Sequence, residues 1–454
     1  MRSVTKTAIA MRSPRVRVKR NPERLRRLLA SAWLRLCRWV TTAGPEAGAL
    51  EEVRYATVVW VAPLVLAPPL FSRDGWSYAA QGMLAHLGIS PYTHGPAVLS
   101  GPIIQAVDPM WRHTETPYGP LPLMFGDLFA AQTGNPWLLV VGHRFVALLG
   151  LVLLAWAVPR LAGWAGVNPA LASALVLASP LMLANGVAGL HNDLLMAGLM
   201  AAALVVAVDR GWAWGAVLGG AAAAVKVPGG LVCVGIVLVS LPVAARLAQR
   251  LRRSLAVGAV AVGVLLALGV VSGLGHGWMG GLAVPGAINT PLSGTTVLGG
   301  LADWLAAVAG VGTEPATFRD LVRTAGTVVA LVVAAGIGLR WRTGDRAAAL
   351  AAVGLALGVL VATSPVVHLW YLLWVLPFVA TQALSRQARA ALVAVSVVAG
   401  LVAPLDSSLR GAWLAIAMGT VAVAAIVPFL LFTPGARERL ARIAHVGHPD
   451  QVSG

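Results

Sequence analysis

Leu138-Leu-Val-Val-Gly-His-Arg-Phe-Val-Ala-Leu-Leu-Gly-Leu-Val-Leu-Leu-Ala-Trp-Ala-Val-Pro159 holds a single charge, Arg144, in 22 residues. Wound as a helix it measures about 33 Å, enough to cross ~30 Å of hydrocarbon. Similar apolar runs fall at 56–71, 170–189, 193–208, 211–225, 227–245, 255–274, 320–339, 347–365, 369–384, 390–405 and 411–432. The run 211–225 is short for a crossing. The pattern predicts an all-α polytopic membrane protein of about twelve spans. Composition agrees: 58% of the 454 residues are apolar and 11% charged. Each charge at bilayer depth costs about 2.5–3.5 kcal/mol. The 50 glycines and 28 prolines suit a transmembrane bundle better than a soluble helical one. Cys37 and Cys233 lie in a basic tail and an apolar run, so no disulfide framework or thiol metal site is expected.

The net charge of +17 suggests nucleic acid until its distribution is considered. With the N-terminus placed in the cytoplasm, 27 of the 34 Lys and Arg residues fall on the cytoplasmic side and 7 on the other. Thirteen lie in the tail before Tyr55. The positive-inside rule therefore puts both termini in the cytoplasm of a multi-pass plasma-membrane protein. The charge then acts as an orientation signal and an attraction to anionic lipid heads, not a nucleic-acid surface. Residues 1–54 form a basic cytoplasmic tail. Its Arg24-Leu25-Arg26-Arg27-Leu28-Leu29 mixture fits an interfacial amphipathic helix, or equally a partly disordered tail. It lacks a signal peptide's early apolar core and cleavage site. Residues 55–435 form the membrane module, and 436–454 a second cytoplasmic tail.

The outer loops are long where the inner ones are short. The first, 72–137, carries Asp74, Asp108, Glu115 and Asp127 among aromatic residues and prolines. Such a loop without its own domain is functional or disordered, and its aromatic content favours order. The second, 275–319, carries His276, Trp278, Asn289, Thr290, Ser293, Thr295 and Thr296. Polar, aromatic outer loops beside a membrane suit a polar substrate with a lipid tail.

As a helix, the start of the first loop puts Asp74, Ser77, Tyr78 and Gln81 on one face at i, i+3, i+4 and i+7. Ser72 can cap that helix and leave Asp74 in its first turn, where the dipole favours a carboxylate. Two roles stay open for Asp74: helix cap, or base accepting a hydroxyl proton. His191-Asn192-Asp193, at the outer end of two runs, can cap a helix, pair internally, bind a sugar or bind a metal. As a metal site it is weak, because adjacent helical residues diverge and no further ligand is local. Lys226-Val227-Pro228 breaks an apolar stretch at an outer turn. Its lysine either snorkels or meets an anion such as a lipid phosphate. Arg144 at the mouth of its span is a similar case. His368, Tyr371 and Trp374, spaced by three, form either a polar-aromatic ridge beside a phosphate pocket or an interfacial aromatic belt.

The ordered set Asp74…Ser77-Tyr78…Gln81-Gly82, Pro91-Tyr92, Gly95-Pro96-Ala97, Trp111-Arg112, Thr116-Pro117-Tyr118-Gly119-Pro120-Leu121 and His191-Asn192-Asp193 resembles a known family. Lys226-Val227-Pro228, Asn289-Thr290-Pro291-Leu292-Ser293 and His368…Trp370-Tyr371…Trp374 extend the likeness over roughly 55–435. The family is the actinobacterial polyprenyl-phosphomannose-dependent α-1,6-mannosyltransferases of lipomannan core synthesis, in the cell envelope. The resemblance implies a GT-C membrane glycosyltransferase fold and inverting transfer on the outer membrane face. The donor would be polyprenyl-phosphomannose, and the acceptor a lipid-anchored mannan or phosphatidylinositol mannoside. The family's essential acidic residue lies in the first outer loop, and Asp74 is the residue that matches it. His368, Lys226 and Arg144 are then candidates for the donor phosphate. Ser77, Tyr78, Gln81, Tyr92, Trp111, Tyr118, His191, Asn192, Asp193, Tyr371 and Trp374 are candidates for substrate contact. No cofactor is implied, and a divalent metal is left open.

Two rival readings remain at this stage. A lipid-linked sugar transporter or flippase would spread polar groups through its spans, whereas here they gather on one side. A transferase with another lipid-phosphate sugar or linkage differs only in loop shape.

Overall fold

The computed structural model describes residues 22–42, 47–402 and 434–435, and among them there is no strand. Helix α1 (Pro22–Thr42) is amphipathic. Trp33, Cys37 and Val40 are buried on one face, and Arg35 and Arg38 are exposed on the other. The Trp33 indole donates to the Ala174 carbonyl at 2.8 Å, so this part of the basic tail is docked on the bundle. Helix α2 (Ala47–Val65) starts earlier and stops sooner than the expected 56–71 run. Pro68-Pro69 ends it, because a proline disfavours helix in the residue before it and donates no amide. Phe71 then takes a positive φ of 71°.

The first loop is helical in large part. It contains α3 (Asp74–His86), the short α4 (Pro102–Ala106) and α5 (Pro120–Ala130). α3 and α5 cross backbone to backbone at Gly82 and Gly126. A Cβ added to Gly82 would lie 2.5 Å from the Gly126 Cα. The long helix α6 (Pro136–Trp164) is capped by Asn135, whose side chain accepts the Trp137 and Leu138 amides.

The run expected at 170–189 is bent. α7 (Pro169–Leu177) gives way at Ser179-Pro180 to a π-helical turn, Met182–Ala188, at an angle of 58°. Pro180 has no amide to continue the ladder, and the Ser179 hydroxyl accepts the Met182 amide instead (3.2 Å). The bend delivers His191-Asn192-Asp193 to the start of α8 (Asp193–Asp209), which is buried along nearly its whole length. α8 lies against α6 through Gly150 and Gly198: a Cβ on Gly198 would sit 2.4 Å from the Gly150 carbonyl oxygen. Small residues allow such an approach between membrane helices.

α9 (Trp212–Val225) stops at Lys226, and a 3-10 segment, Val227–Leu231, leads into α10 (Val232–Val239). α11 (Leu247–Val271) follows. The expected second loop holds the short α12 (Trp278–Gly281) and a 15-residue apolar helix, α13 (Gly294–Val308). α14 (Thr317–Arg340), α15 (Arg346–Thr363), the 3-10 turn Leu369–Tyr371, α16 (Leu372–Ala380) and α17 (Arg386–Val402) complete the described bundle.

The expected twelve spans are not confirmed. Among the described residues four helices, α6, α11, α14 and α15, are long and apolar enough to cross a membrane, and α7 with its π turn makes a fifth. Five further apolar segments, at 120–130, 212–225, 227–239, 294–308 and 369–380, are shorter. Proline and glycine breaks cut several of the apolar runs. The run 411–432 and the C-terminal tail lie outside the described residues, apart from 434–435.

Candidate active site

Asp74 is the first residue of α3 and only 4% exposed. Its amide donates to the Ser72 hydroxyl at 3.1 Å. Ser72 is not the helix cap expected of it: Arg73 occupies that boundary without a side-chain cap bond, and Ser72 closes a turn just before it. Arg73 ties this corner down, its Nε donating to the Ala106 carbonyl at 2.8 Å. The carboxylate faces an imidazole: His191 Nε2 lies 3.8 Å from Asp74 Oδ2. The other ring nitrogen of His191 contacts the Asn185 carbonyl. A carbonyl only accepts, so Nδ1 carries a proton and Nε2 is directed at Asp74.

Behind this pair stands an aromatic stack. Trp370 lies between the rings of His191 (centroids 3.8 Å apart) and His368 (4.2 Å), nearly parallel to both. A second cluster faces it. Asp193 Oδ1 accepts from Lys226 Nζ at 3.1 Å and from the Trp374 indole at 2.7 Å. The Lys226 ammonium also sits 4.3 Å from the Tyr371 ring centre, 5.0 Å from that of Trp374 and 5.4 Å from that of Tyr118. Cation–π contact with three rings and one carboxylate holds the charge in a buried place.

Both clusters open on one cavity of about 520 Å3. Asp74, Trp111, Tyr118, Lys226, His368 and Trp370 line it, with Tyr371 and Trp374. Leu282, Val284, Ile288, Ala330, Leu331 and Leu360 add apolar lining. A smaller adjoining slot at Asp74 is bounded by Ser77, Tyr78, Gln81, Trp111, Glu115 and Tyr118. The helical face anticipated from spacing is thus the floor of this slot. The Tyr78 and Tyr118 hydroxyls meet at 3.0 Å. Burial, reinforced by nearby carboxylates, pushes both phenols well above their ordinary range, so both remain protonated.

Other sequence candidates lie elsewhere. Arg144, fully buried, donates to the Val187 carbonyl and to Ala67 O (2.9 Å). It fastens the end of α2 to the π turn and lines neither space. Tyr92 packs its ring against Gly277, where an added Cβ would come within 2.4 Å, and is also outside both spaces. Asn192 is buried at the head of α8, its carbonyl accepting the Met196 amide at 3.1 Å. His191 and Asp193 stand one layer behind the cavity wall, each holding a residue that lines it.

Trp370 stands in the motif quoted above but was given no role, because a spacing of three selects its neighbours His368, Tyr371 and Trp374. Sequence reasoning passed over His143, which is buried beside Tyr78 (ring centroids 6.1 Å apart) and edge-on to Phe129 (5.6 Å). A histidine inside the apolar run of α6 was the available signal. Among the described residues no three of His, Cys, Asp and Glu gather as a metal-binding group.

The site offers a carboxylate to take a proton, a buried ammonium and an imidazole to receive negative charge, and aromatic and apolar walls. Known proteins carry related sequences. Residues 26–242 match the family described as alpha-(1→6)-mannopyranosyltransferase, N-terminal domain, and residues 295–433 match the MptB C-terminal domain. A probable alpha-(1→6)-mannopyranosyltransferase of Mycolicibacterium smegmatis is 32% identical over 440 residues, covering 89% of this chain and 78% of the relative. Alpha-(1→6)-mannopyranosyltransferase A of Mycobacterium tuberculosis is 34% identical over 383 residues, covering 80% and 71%. Its namesake in Corynebacterium glutamicum is 30% identical over 339 residues, covering 69% and 68%. With two consecutive family domains and these relatives along most of its length, the chain belongs to the alpha-(1→6)-mannopyranosyltransferase family of membrane mannosyltransferases.

Proposed function

We propose that this enzyme transfers mannose from polyprenyl-phosphomannose to the 6-hydroxyl of a lipid-anchored mannan or phosphatidylinositol mannoside, with inversion, on the outer face of the plasma membrane. The observation that carries the reading is the position of Asp74. It stands where a cavity lined by both polar-aromatic and apolar side chains adjoins a small slot. A lipid-linked sugar phosphate combines the same two characters. The outward orientation is supported by the placement of 27 of the 34 basic residues on the opposite side.

In this mechanism Asp74 takes the proton from the acceptor hydroxyl as its oxygen attacks the anomeric carbon. The new C–O bond forms as the anomeric bond to phosphate breaks, and the electron pair leaves with the phosphate oxygen. A β-linked donor gives an α product in one displacement. The polyprenyl phosphate leaves as a monoester, and Lys226 and His368 at the cavity wall receive the growing charge. His191 stands behind the carboxylate, its Nε2 3.8 Å from Asp74 Oδ2. Asp193 holds Lys226 in place and tempers its charge. Trp111, Tyr118 and Tyr371 offer ring faces to sugars. Arg144 acts from outside the pocket, through the backbone it fastens.

The test is Asp74→Asn, assayed by transfer of labelled mannose with purified protein at matched amounts. Loss of transfer by at least about a hundredfold is expected, the lower range for a general base. Transfer near the wild-type rate would refute the assignment.

A further inference from the structure

The slot beside Asp74 has dimensions that bear on which hydroxyl reacts. It is half open and has about 30 Å3 of room at its base, enough for roughly two or three non-hydrogen atoms at about 10–15 Å3 each. A pyranose ring does not fit wholly within that base. A hydroxymethyl arm, one carbon and one oxygen, does.

The walls are dressed for a hydroxyl. Ser77 is 4% exposed, and its Oγ has no hydrogen-bond partner among the described residues. The buried indole Nε1 of Trp111 is in the same condition. Buried polar groups left without partners cost stability, so two of them around one small space point to a polar guest. The Gln81 carbonyl accepts from Thr116 Oγ1 at 3.1 Å, which leaves the amide N–H2 as its donor. Glu115 is exposed and bounds the same slot, the one lining residue that is open to solvent.

We infer that this slot admits the exocyclic hydroxymethyl arm of the acceptor sugar, held by Ser77, Trp111 and Glu115, and so selects a primary alcohol for presentation to Asp74. This rests on the proposed transferase reading and adds the residues that set the linkage. Through this slot a ring hydroxyl has no arm on which to reach the carboxylate, so the ring stays at the slot's mouth.

The test uses the full-length protein in lipid nanodiscs, with a polyprenyl-phosphomannose donor and a short α-mannoside acceptor, each varied at saturating partner. Ser77→Ala and Glu115→Ala are expected to raise the acceptor KM about tenfold or more, the scale of one lost hydrogen bond to a buried or charged group. The donor KM should move less than about twofold, and Glu115→Gln should recover part of the acceptor affinity. The unmoved donor KM identifies a folded enzyme. An acceptor analogue with methyl in place of hydroxymethyl should give no product. Mannosylation of that analogue on a ring hydroxyl, or an acceptor KM unmoved in all three variants, would overturn the inference. If Asp74→Asn abolishes transfer while the slot variants change nothing, the slot inference alone falls. If Asp74→Asn keeps transfer, the reading beneath it falls.

Discussion

Lys226 and Asp193 form a buried pair whose members need each other. The ammonium is held at 3.1 Å, and the same carboxylate oxygen takes the Trp374 indole. Removing one partner of a buried pair costs about 3–5 kcal/mol. Asp193→Asn is therefore expected to lower the thermal unfolding temperature in detergent clearly, and Asp193→Asn with Lys226→Met to lower it less. A double variant no more stable than the single would contradict the pairing. Arg144 makes a different expectation. Its two carbonyl acceptors lie away from the cavity, so Arg144→Ala should destabilise by about 1–3 kcal/mol with the donor KM unchanged in the folded fraction. These residues also show what sequence could give. Asp74, Lys226 and His368 were legible as polar groups at the ends of apolar runs. Asp193 as the partner of Lys226 was not, because the two are 33 residues apart and a lone sequence does not state contacts. The role of Trp370 was hidden for a similar reason: it comes from what stacks on both faces.

Helix α3 is the element that aims the site, and its helical face was readable from the spacing of Asp74, Ser77, Tyr78 and Gln81. What locks its position was not. Gly82 meets Gly126 of α5 so closely that an added Cβ would lie 2.5 Å from the Gly126 Cα. A backbone atom cannot rotate out of the way. Gly82→Ala is therefore expected to push α3 and α5 apart and to cut activity at least about tenfold. A displacement of about 1 Å can cost a hundredfold at a reacting centre. Steady-state kinetics on folded protein checks this, and unchanged kcat would refute it. The breaks were harder to read than the helices. Pro180 sits in a run that scans as one span, yet the chain bends there by 58°. α13 was read as loop because Gly294, Thr295, Thr296, Gly299 and Gly300 dilute its apolar pattern, although Leu298, Leu301, Trp304 and Leu305 make a continuous exposed face.

At the scale of the molecule, the membrane character followed from composition, and the span number did not. Apolar length alone turned every run into a crossing. α8 is sheathed by protein on nearly all sides, and among the described residues several other apolar helices fall short of a full crossing by length. The proposed orientation has its own measurement. In a variant with Cys37 and Cys233 replaced by Ser and Ala, a cysteine at Glu115 should react in intact cells with a maleimide that does not cross membranes. A cysteine at Arg386, exposed at the start of α17, should react only after permeabilisation. The reverse pattern would invert the topology.

Leu331 lines the cavity and is also 63% exposed on α14. The apolar wall of the chamber therefore reaches the outer surface of this helix. A donor entering there is counted per lipid, not per litre. The apparent KM for donor would then track its mole fraction in the bilayer, and diluting vesicles at fixed composition would leave the rate unaltered.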